Sequence, residues 1–213
     1  NYYIANVLSV GKLGRFEKRV MVPTRWSITA TDDMLGKCLM EKVRGYRPLN
    51  KVWVFSHESY SNHYEIIIAP GAWEFENFEA WAPGSVWNPS VLGGNCALQA
   101  KISEEYEGHL GRTKYADKQV GAYYAVRLAV LEFLAGIRRQ GRVIAIREVY
   151  EGYQVPVGVF QVRENVRDAM ANCQMFSALG EALEEAGKRL RVPISEYKKR
   201  SRIIGQKSIA EFF

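Results

Sequence analysis

The chain lacks any uninterrupted apolar run near the roughly 20 residues that a membrane-crossing helix needs, and no secretory apolar segment stands near its start. Both absences point away from a membrane or exported protein. Cysteine is scarce: Cys38, Cys96 and Cys173 are an odd, scattered set with no CxxC pair. That argues against a disulfide scaffold and against a cysteine-rich zinc site. A reducing, cytoplasmic location is the expectation. There is no P-loop, no Rossmann glycine fingerprint, no nucleophile elbow, no internal repeat and no low-complexity stretch. The first residue is Asn1 rather than Met, which suggests a fragment or a processed product.

What is present suits a globular protein. Of 213 residues, 47% are hydrophobic and 24% charged, enough apolar surface for a real core in one large domain or two small ones. The net charge of +6 is unevenly placed. Residues 1–187 hold 21 basic and 21 acidic side chains, so the excess falls in residues 188–213, with eight basic against two acidic. The body is itself banded. Residues 1–51 are basic, 52–107 acidic and 108–149 basic again. Such bands either polarise a surface or pair internally.

The pattern of residues predicts a strand over Phe16–Val22 ended by Pro23, a polar turn over Thr24–Thr29, and a helix over Ala30–Tyr46 capped by Thr29 or Thr31. Val52–Ser56 and Tyr64–Ala69 read as a β-hairpin, and Ala82–Asn95 as a loop. Val120–Gln140 is apolar almost all round and predicts a buried central helix, with Gly141 in its C′ position. Arg142–Val149 and Val155–Val162 read as strands. Glu164–Asn172 and Met175–Leu190 read as helices, and Ile194–Arg202 as a short basic helix or coil. The expected fold is α+β: a mixed or largely antiparallel sheet packed on a long central helix, with a flexible C-terminal tail. Residues 1–202 form the domain in this reading and 203–213 the tail.

The most specific signal is the terminus, Gln206-Lys207-Ser208-Ile209-Ala210-Glu211-Phe212-Phe213. It fits Gln-x-x-aliphatic-x-x-aromatic-aromatic, the interaction motif of the sliding clamp PCNA. A 3₁₀ turn repeats every three residues, so Ile209 and Phe212 project from one side with Phe213 beside them. Each of these apolar side chains contributes roughly 1.5–3 kcal/mol on burial in a pocket. Gln206 can anchor through its amide. The Lys and Arg upstream favour an acidic partner and speed encounter.

Within the body, Val22-Pro23-Thr24-Arg25-Trp26-Ser27-Ile28-Thr29 packs an arginine, a tryptophan and hydroxyls at a predicted helix start, a place suited to an anion. Arg25, Trp26, Ser27 and Thr29 are therefore candidates for a nucleic-acid or phosphate site. Arg127, Arg147 and Arg163 join them, since arginine binds phosphate through a bidentate fork. The competing reading pairs these arginines with Asp33, Glu132, Glu148 and Glu164 in a polar core. For metal chemistry, Glu74 and Glu76 share one face if they lie on a strand, and hard cations such as Mg²⁺ prefer carboxylates. The alternative there is a solvated acidic surface. No catalytic residue set is evident.

VPTRWSIT with Asp32-Asp33, APGAWEFENFEAW (Ala69–Trp81), GAYYAVRLAVLEFL (Gly121–Leu134), IREVYEGYQVPVGVFQVRENVR (Ile146–Arg167) and the terminal QKSIAEFF resemble, in this order, the archaeal Nre family of DNA repair proteins. The resemblance runs from about Leu8 to Phe213. It implies a chain about half the family's length, its C-terminal half, without the metal-binding cysteine cluster found near the family's N-terminus, so no cofactor is expected in this segment. It also implies a role in DNA damage repair with the sliding clamp as partner, DNA contact and a nucleoid-associated location. Two alternatives remain: a clamp-recruited metal-dependent enzyme acting on damaged nucleic acid, using Mg²⁺, and a non-catalytic adaptor joining the clamp to another repair protein.

Overall fold

A computed structural model describes residues 2–88, 99–154 and 158–205. The terminal motif from Gln206 to Phe213, Cys96 and residues 155–157 of the expected strand lie outside them.

The elements in order are α1 (Tyr2–Ser9), a 3₁₀ turn (Phe16–Lys18), α2 (Thr24–Val43), β1 (Arg47–Pro48), β2 (Val52–Ser59), β3 (Asn62–Ala69), β4 (Glu74–Trp81), β5 (Lys101–Glu107), α3 (Gly121–Ile137), β6 (Arg139–Gln140), β7 (Arg142–Val149), α4 (Val159–Ala169), β8 (Cys173–Phe176), α5 (Leu179–Gly187), α6 (Ile194–Arg200) and α7 (Arg202–Gly205). A six-stranded sheet runs in the order β5-β4-β7-β3-β2-β8. Only β4 and β7 pair in parallel; the other neighbours are antiparallel. A short parallel ladder joins β1 to β6. The fold is thus α+β with a mixed sheet, as the pattern of residues predicts.

Helices cover both faces. Every residue of β3 is buried, as expected for a central strand with cores on either side. On one face Tyr64, Ile66, Phe75, Val143 and Ala145 pack against Tyr123, Val126, Val130 and Leu134 of α3 and Val162 and Val166 of α4. Phe133 on α3 meets Trp53 and Phe55 edge-on. On the other face Val54, Ile67, Phe78, Ile144 and Ile146 pack against Ala182, Leu183, Tyr197 and Ile203 of the C-terminal helices.

Several local expectations are corrected. Phe16–Val22 pairs with no strand among the described residues; Phe16, Val20 and Met21 are exposed, so burial does not reward extension there. Thr24–Thr29 is not a turn but the start of α2, whose N-cap is Pro23. The Ser27 and Thr29 hydroxyls donate to the carbonyls of Thr24 and Arg25, bonds that stay within the helix. The central helix ends at Ile137, and Arg138 rather than Gly141 takes the left-handed cap, at φ 52°. Residues 159–162 are helical, because Val162 and Val166 bury against α3 and the sheet. Cys173–Phe176 is an edge strand ahead of a helix that begins only at Leu179. Lys101–Glu107, unassigned from sequence, is the edge strand beside β4. Ile203, placed in the tail by the sequence reading, is buried.

Candidate functional site

Helices α2, α3 and α4 lie side by side and run the same way. Gly121 at the start of α3 sits so close to Thr29 of α2 and Val159 of α4 that a Cβ there would lie 2.7 Å from each. Further along, Arg127 meets Asp33, Arg163 meets Asp32, and Arg167 meets Glu132. The three N-termini therefore converge. None carries a side-chain cap, and the positive ends of three dipoles, each worth about half a charge, point to one end of the molecule. The parallel strands β4 and β7 finish at this same end, at Trp81 and Val149. Ligands of sheet-and-helix folds favour such an end, beyond the carboxyl ends of parallel strands.

All four candidate arginines stand toward this end, but they do not share one pocket. Arg147 is buried on β7. Its Nη1 donates to Glu79 at 2.6 Å, and its Nε and Nη2 donate to Asn62 Oδ1 at 2.9 and 2.7 Å. It lies among the Tyr64, Trp81 and Tyr153 rings, and Tyr64 and Glu79 hold its pKa above the usual value despite burial. Arg127 donates to Glu107 at 2.8 Å and Asp33 at 2.5 Å. Arg163 pairs with Asp32. The internally paired reading holds for these three, with partial changes of partner. Asp33 is as expected, whereas Arg147 takes Glu79 rather than Glu148. Adjacent residues of a strand face opposite sides of the sheet, so Arg147 and Glu148 cannot meet, while Glu79 is the register partner of Arg147.

Asp32 is fully buried; one oxygen takes Arg163 and the other has no hydrogen-bond partner among the described residues. Burial, only partly offset by Arg163, raises its pKa to about 6.

Arg25 is the exception among the arginines. It is exposed, rests 6.0 Å from the centre of the exposed Trp26 ring, and pairs with no carboxylate among the described residues. Ser27 is buried and engaged within α2, as is the hydroxyl of Thr29. The segment leading into α2 adds exposed Lys12, Arg15, Lys18 and Arg19, with Phe16, Val20 and Met21 exposed among them. These residues were missed as site candidates, although the basic band over residues 1–51 was their signal.

Glu74 and Glu76 do share a face of β4. Glu76 is buried and accepts from the Ser201 hydroxyl at 2.5 Å and the Arg202 amide at 2.8 Å; burial still raises its pKa. Glu74 faces Arg142 at 3.6 Å. Among the described residues no group of three His, Cys, Asp or Glu side chains is arranged to hold a metal ion.

Glu76 is one of three buried carboxylates that bind the C-terminal segment to the sheet. Glu65 on β3 accepts from Arg189 Nε and Nη2 at 2.7 and 3.0 Å, as well as from Ser56 and His63. Burial alone would raise its pKa, but these hydrogen bonds outweigh it and hold it below the usual value. Glu148 on β7 accepts from the Arg191 and Val192 amides and the Tyr150 and Tyr197 hydroxyls. Beside it, between the ends of β4 and β7 and the start of α6, a cavity of about 640 Å³ is floored by Ala80 and Ile102, and Arg191 stacks 3.6 Å over Tyr150. Of the C-terminal basic side chains, Arg189 is committed to Glu65 and Arg191 pairs with Glu151.

A layered α+β domain with converging helix N-termini is the class these features define. The family model described as "Archaeal Nre, N-terminal" matches residues 1–88, and that described as "Archaeal Nre, C-terminal" matches residues 107–212. The chain belongs to the archaeal Nre family. It is 41% identical over 204 residues to DNA repair protein NreA of Haloferax volcanii, covering 94% of this chain and 47% of that one. It is 34% identical to DNA repair protein NreA of Archaeoglobus fulgidus, covering 100% and 51%, and 37% identical to DNA repair protein NreB of the same organism, covering 99% and 52%. The chain spans about half the length of these curated relatives. No solved structure matches it. No helix among the described residues is long and apolar enough to cross a membrane.

Proposed function

We propose that this chain is the part of a DNA repair factor that contacts DNA through the end where α2, α3 and α4 begin, and that is recruited to the sliding clamp PCNA through Gln206, Ile209, Phe212 and Phe213. The observation that carries the DNA contact is exposed Arg25 and Trp26 in the first turn of α2, preceded in the chain by exposed Arg15, Phe16, Lys18 and Arg19, at the end where the dipoles of α2, α3 and α4 are positive. Cations and backbone amides suit phosphates, and an exposed aromatic ring suits an unstacked base. Arg127, Arg147 and Arg163, each already held by a carboxylate, set the shape of this end rather than supply free charge. Family membership and the names of the relatives support the repair role.

The test is binding of labelled duplex and single-stranded DNA across a salt series. Charge reversal at Arg19 and Arg25 weakens binding and lowers the slope of log affinity against log salt by about 2. An unchanged slope would remove this end from the DNA contact.

A further inference from the structure

Arginines gather where α2 and α3 end. The Gln140 side chain, buried in the β1–β6 ladder, donates to the carbonyls of Arg44 and Tyr46 at 3.1 and 2.5 Å and accepts from the Trp73 amide at 2.9 Å. It pins the end of α2 to the segment that follows α3. The ladder makes Arg47 and Arg139 register partners, and Arg138 caps α3 one residue earlier. Arg47, Arg138 and Arg139 are exposed, and neither they nor Arg44 pairs with a carboxylate among the described residues. Arg44 Nε and Nη2 have no acceptor there either.

Stability does not call for this arrangement. Like charges side by side on neighbouring strands repel. Arg138 holds φ 52°, a left-handed conformation that helix ends ordinarily give to glycine. Cations do offset helix C-termini, but two such ends carry about half a charge each, which accounts for roughly one of these four arginines. On the last turn of α2, Lys42 and Glu41 cancel. Residues that work against the local fold are found at functional surfaces. The chemistry of this one suits a polyanion, because guanidinium forks match phosphate oxygens. A protein partner would need an apolar anchor at the centre, and no large apolar side chain is exposed from Arg44 to Lys51 or from Arg138 to Gly141.

Helix α2 sets the distance between this surface and Arg25. It has 20 residues, so Arg25 in its first turn and Arg44 just past its last stand about 30 Å apart along the axis. One turn of duplex DNA is about 34 Å. We propose that the protein lies along a DNA duplex and grips its backbone twice, about one helical turn apart: at the start of α2 through Arg25, and at the far end through Arg44, Arg47, Arg138 and Arg139. This rests on the DNA contact proposed above for the start of α2. A flexible single strand offers no such fixed spacing, so the partner is a duplex.

The test uses the full chain and labelled DNA hairpins with stems of about 6 and 16 base pairs, roughly 20 and 54 Å long, titrated across a salt series. Arg47→Gln with Arg138→Gly and Arg139→Gln removes three charges. On the long stem it weakens binding more than about tenfold near 0.1 M salt and lowers the slope of log affinity against log salt by about 3. On the short stem, which cannot reach both ends, it costs less than about twofold. The urea midpoint of this variant is not lowered, because the changes relieve like-charge repulsion and a left-handed arginine. A lowered midpoint would assign the arginines to the fold and overturn the proposal. Equal losses on both stems, or no loss on the long one, would also overturn it. The contact at the start of α2 then still stands if Arg19→Glu with Arg25→Glu weakens binding of the long stem. If that pair leaves the long stem unaffected, the contact at the start of α2 fails and the double grip falls with it. A loss of affinity for purified sliding clamp with both DNA affinities intact would give the arginines to a protein partner and overturn the proposal.

Discussion

Glu148 on β7 and Tyr197 on α6 share a buried hydrogen bond of 2.8 Å across 49 residues of chain. The same carboxylate also accepts from Tyr150 and from two backbone amides at the turn into α6. One glutamate therefore fixes where α6 folds back across the sheet. Burial and the neighbouring carboxylate together push the Tyr197 phenol far above its usual pKa, so it stays a donor at any physiological pH.

Replacing Glu148 with alanine leaves four donors without their acceptor. The expected loss is about 3–5 kcal/mol of stability, against about 1 kcal/mol for Tyr197→Phe, which removes a single bond. Urea unfolding of the two variants checks the ratio. Equal, small losses would show that Glu148 does not hold the C-terminal helices in place.

Gly121 starts α3 against Thr29 in the second turn of α2 and Val159 at the start of α4, with no room for a side chain. Gly121→Ala forces Thr29 and Val159 apart and costs about 1–3 kcal/mol. If the converging helix starts form the DNA-contacting surface, DNA affinity falls even at temperatures where the variant remains folded. Thermal unfolding and DNA titration on the same sample separate the two effects.

The parts of this architecture that were legible in sequence are those set by local pattern. Val52–Ser56, Tyr64–Ala69 and Arg142–Val149 are β-branched and apolar runs, and they are strands. Gly121–Ile137 is apolar almost all round, and it is the central helix. Misreadings fall where a tertiary contact decides. Thr24–Thr29 has the composition of a turn, yet Ser27 and Thr29 satisfy their hydroxyls within the helix. Val159–Val162 has the composition of a strand, yet it is the first turn of α4 because α3 and the sheet offer it a surface. The candidate arginines were correctly singled out as unusual. Among their partners Asp33 and Glu164 are ones the sequence suggests; Glu79, Glu107 and Asp32 are not, because they come from other elements and meet the arginines only through the register of the sheet and the packing of α2. The role of Glu65, Glu76 and Glu148 as anchors for residues 189–203 has no local signal at all.

The terminal motif calls for a direct test. Phe212→Ala with Phe213→Ala abolishes clamp binding while the unfolding free energy from urea titration stays within about 0.5 kcal/mol of that of the unmodified chain, because the buried anchor Ile203 is untouched. Glu76→Ala does the reverse. It releases Ser201 and Arg202, lowers stability by about 1–3 kcal/mol, and leaves both phenylalanines available to the clamp. Calorimetric titration with the clamp distinguishes the two variants. Retention of clamp binding by the double alanine variant would reject the motif.

Asp32 makes stability depend on pH in a direction opposite to that of an ordinary ion-paired carboxylate. Its folded-state pKa is about 6, above the 3.8 of an unhindered aspartate. Between these values the folded chain holds a proton that the unfolded chain has released. Stability from this group is therefore fully present below about pH 4 and is lost as pH rises to about 6, by up to about 3 kcal/mol. Asp32→Asn cannot titrate. It mimics the neutral carboxyl that the folded chain carries below about pH 6, so any penalty it brings relative to the unmodified chain shrinks as pH rises from 4 to 7. Other carboxylates titrate in both chains and cancel in the difference. Urea unfolding of both chains at half-unit intervals of pH measures that difference directly. A gap that widens with rising pH would mean that the Arg163 pairing outweighs burial and holds Asp32 ionised at the junction of α2 and α4.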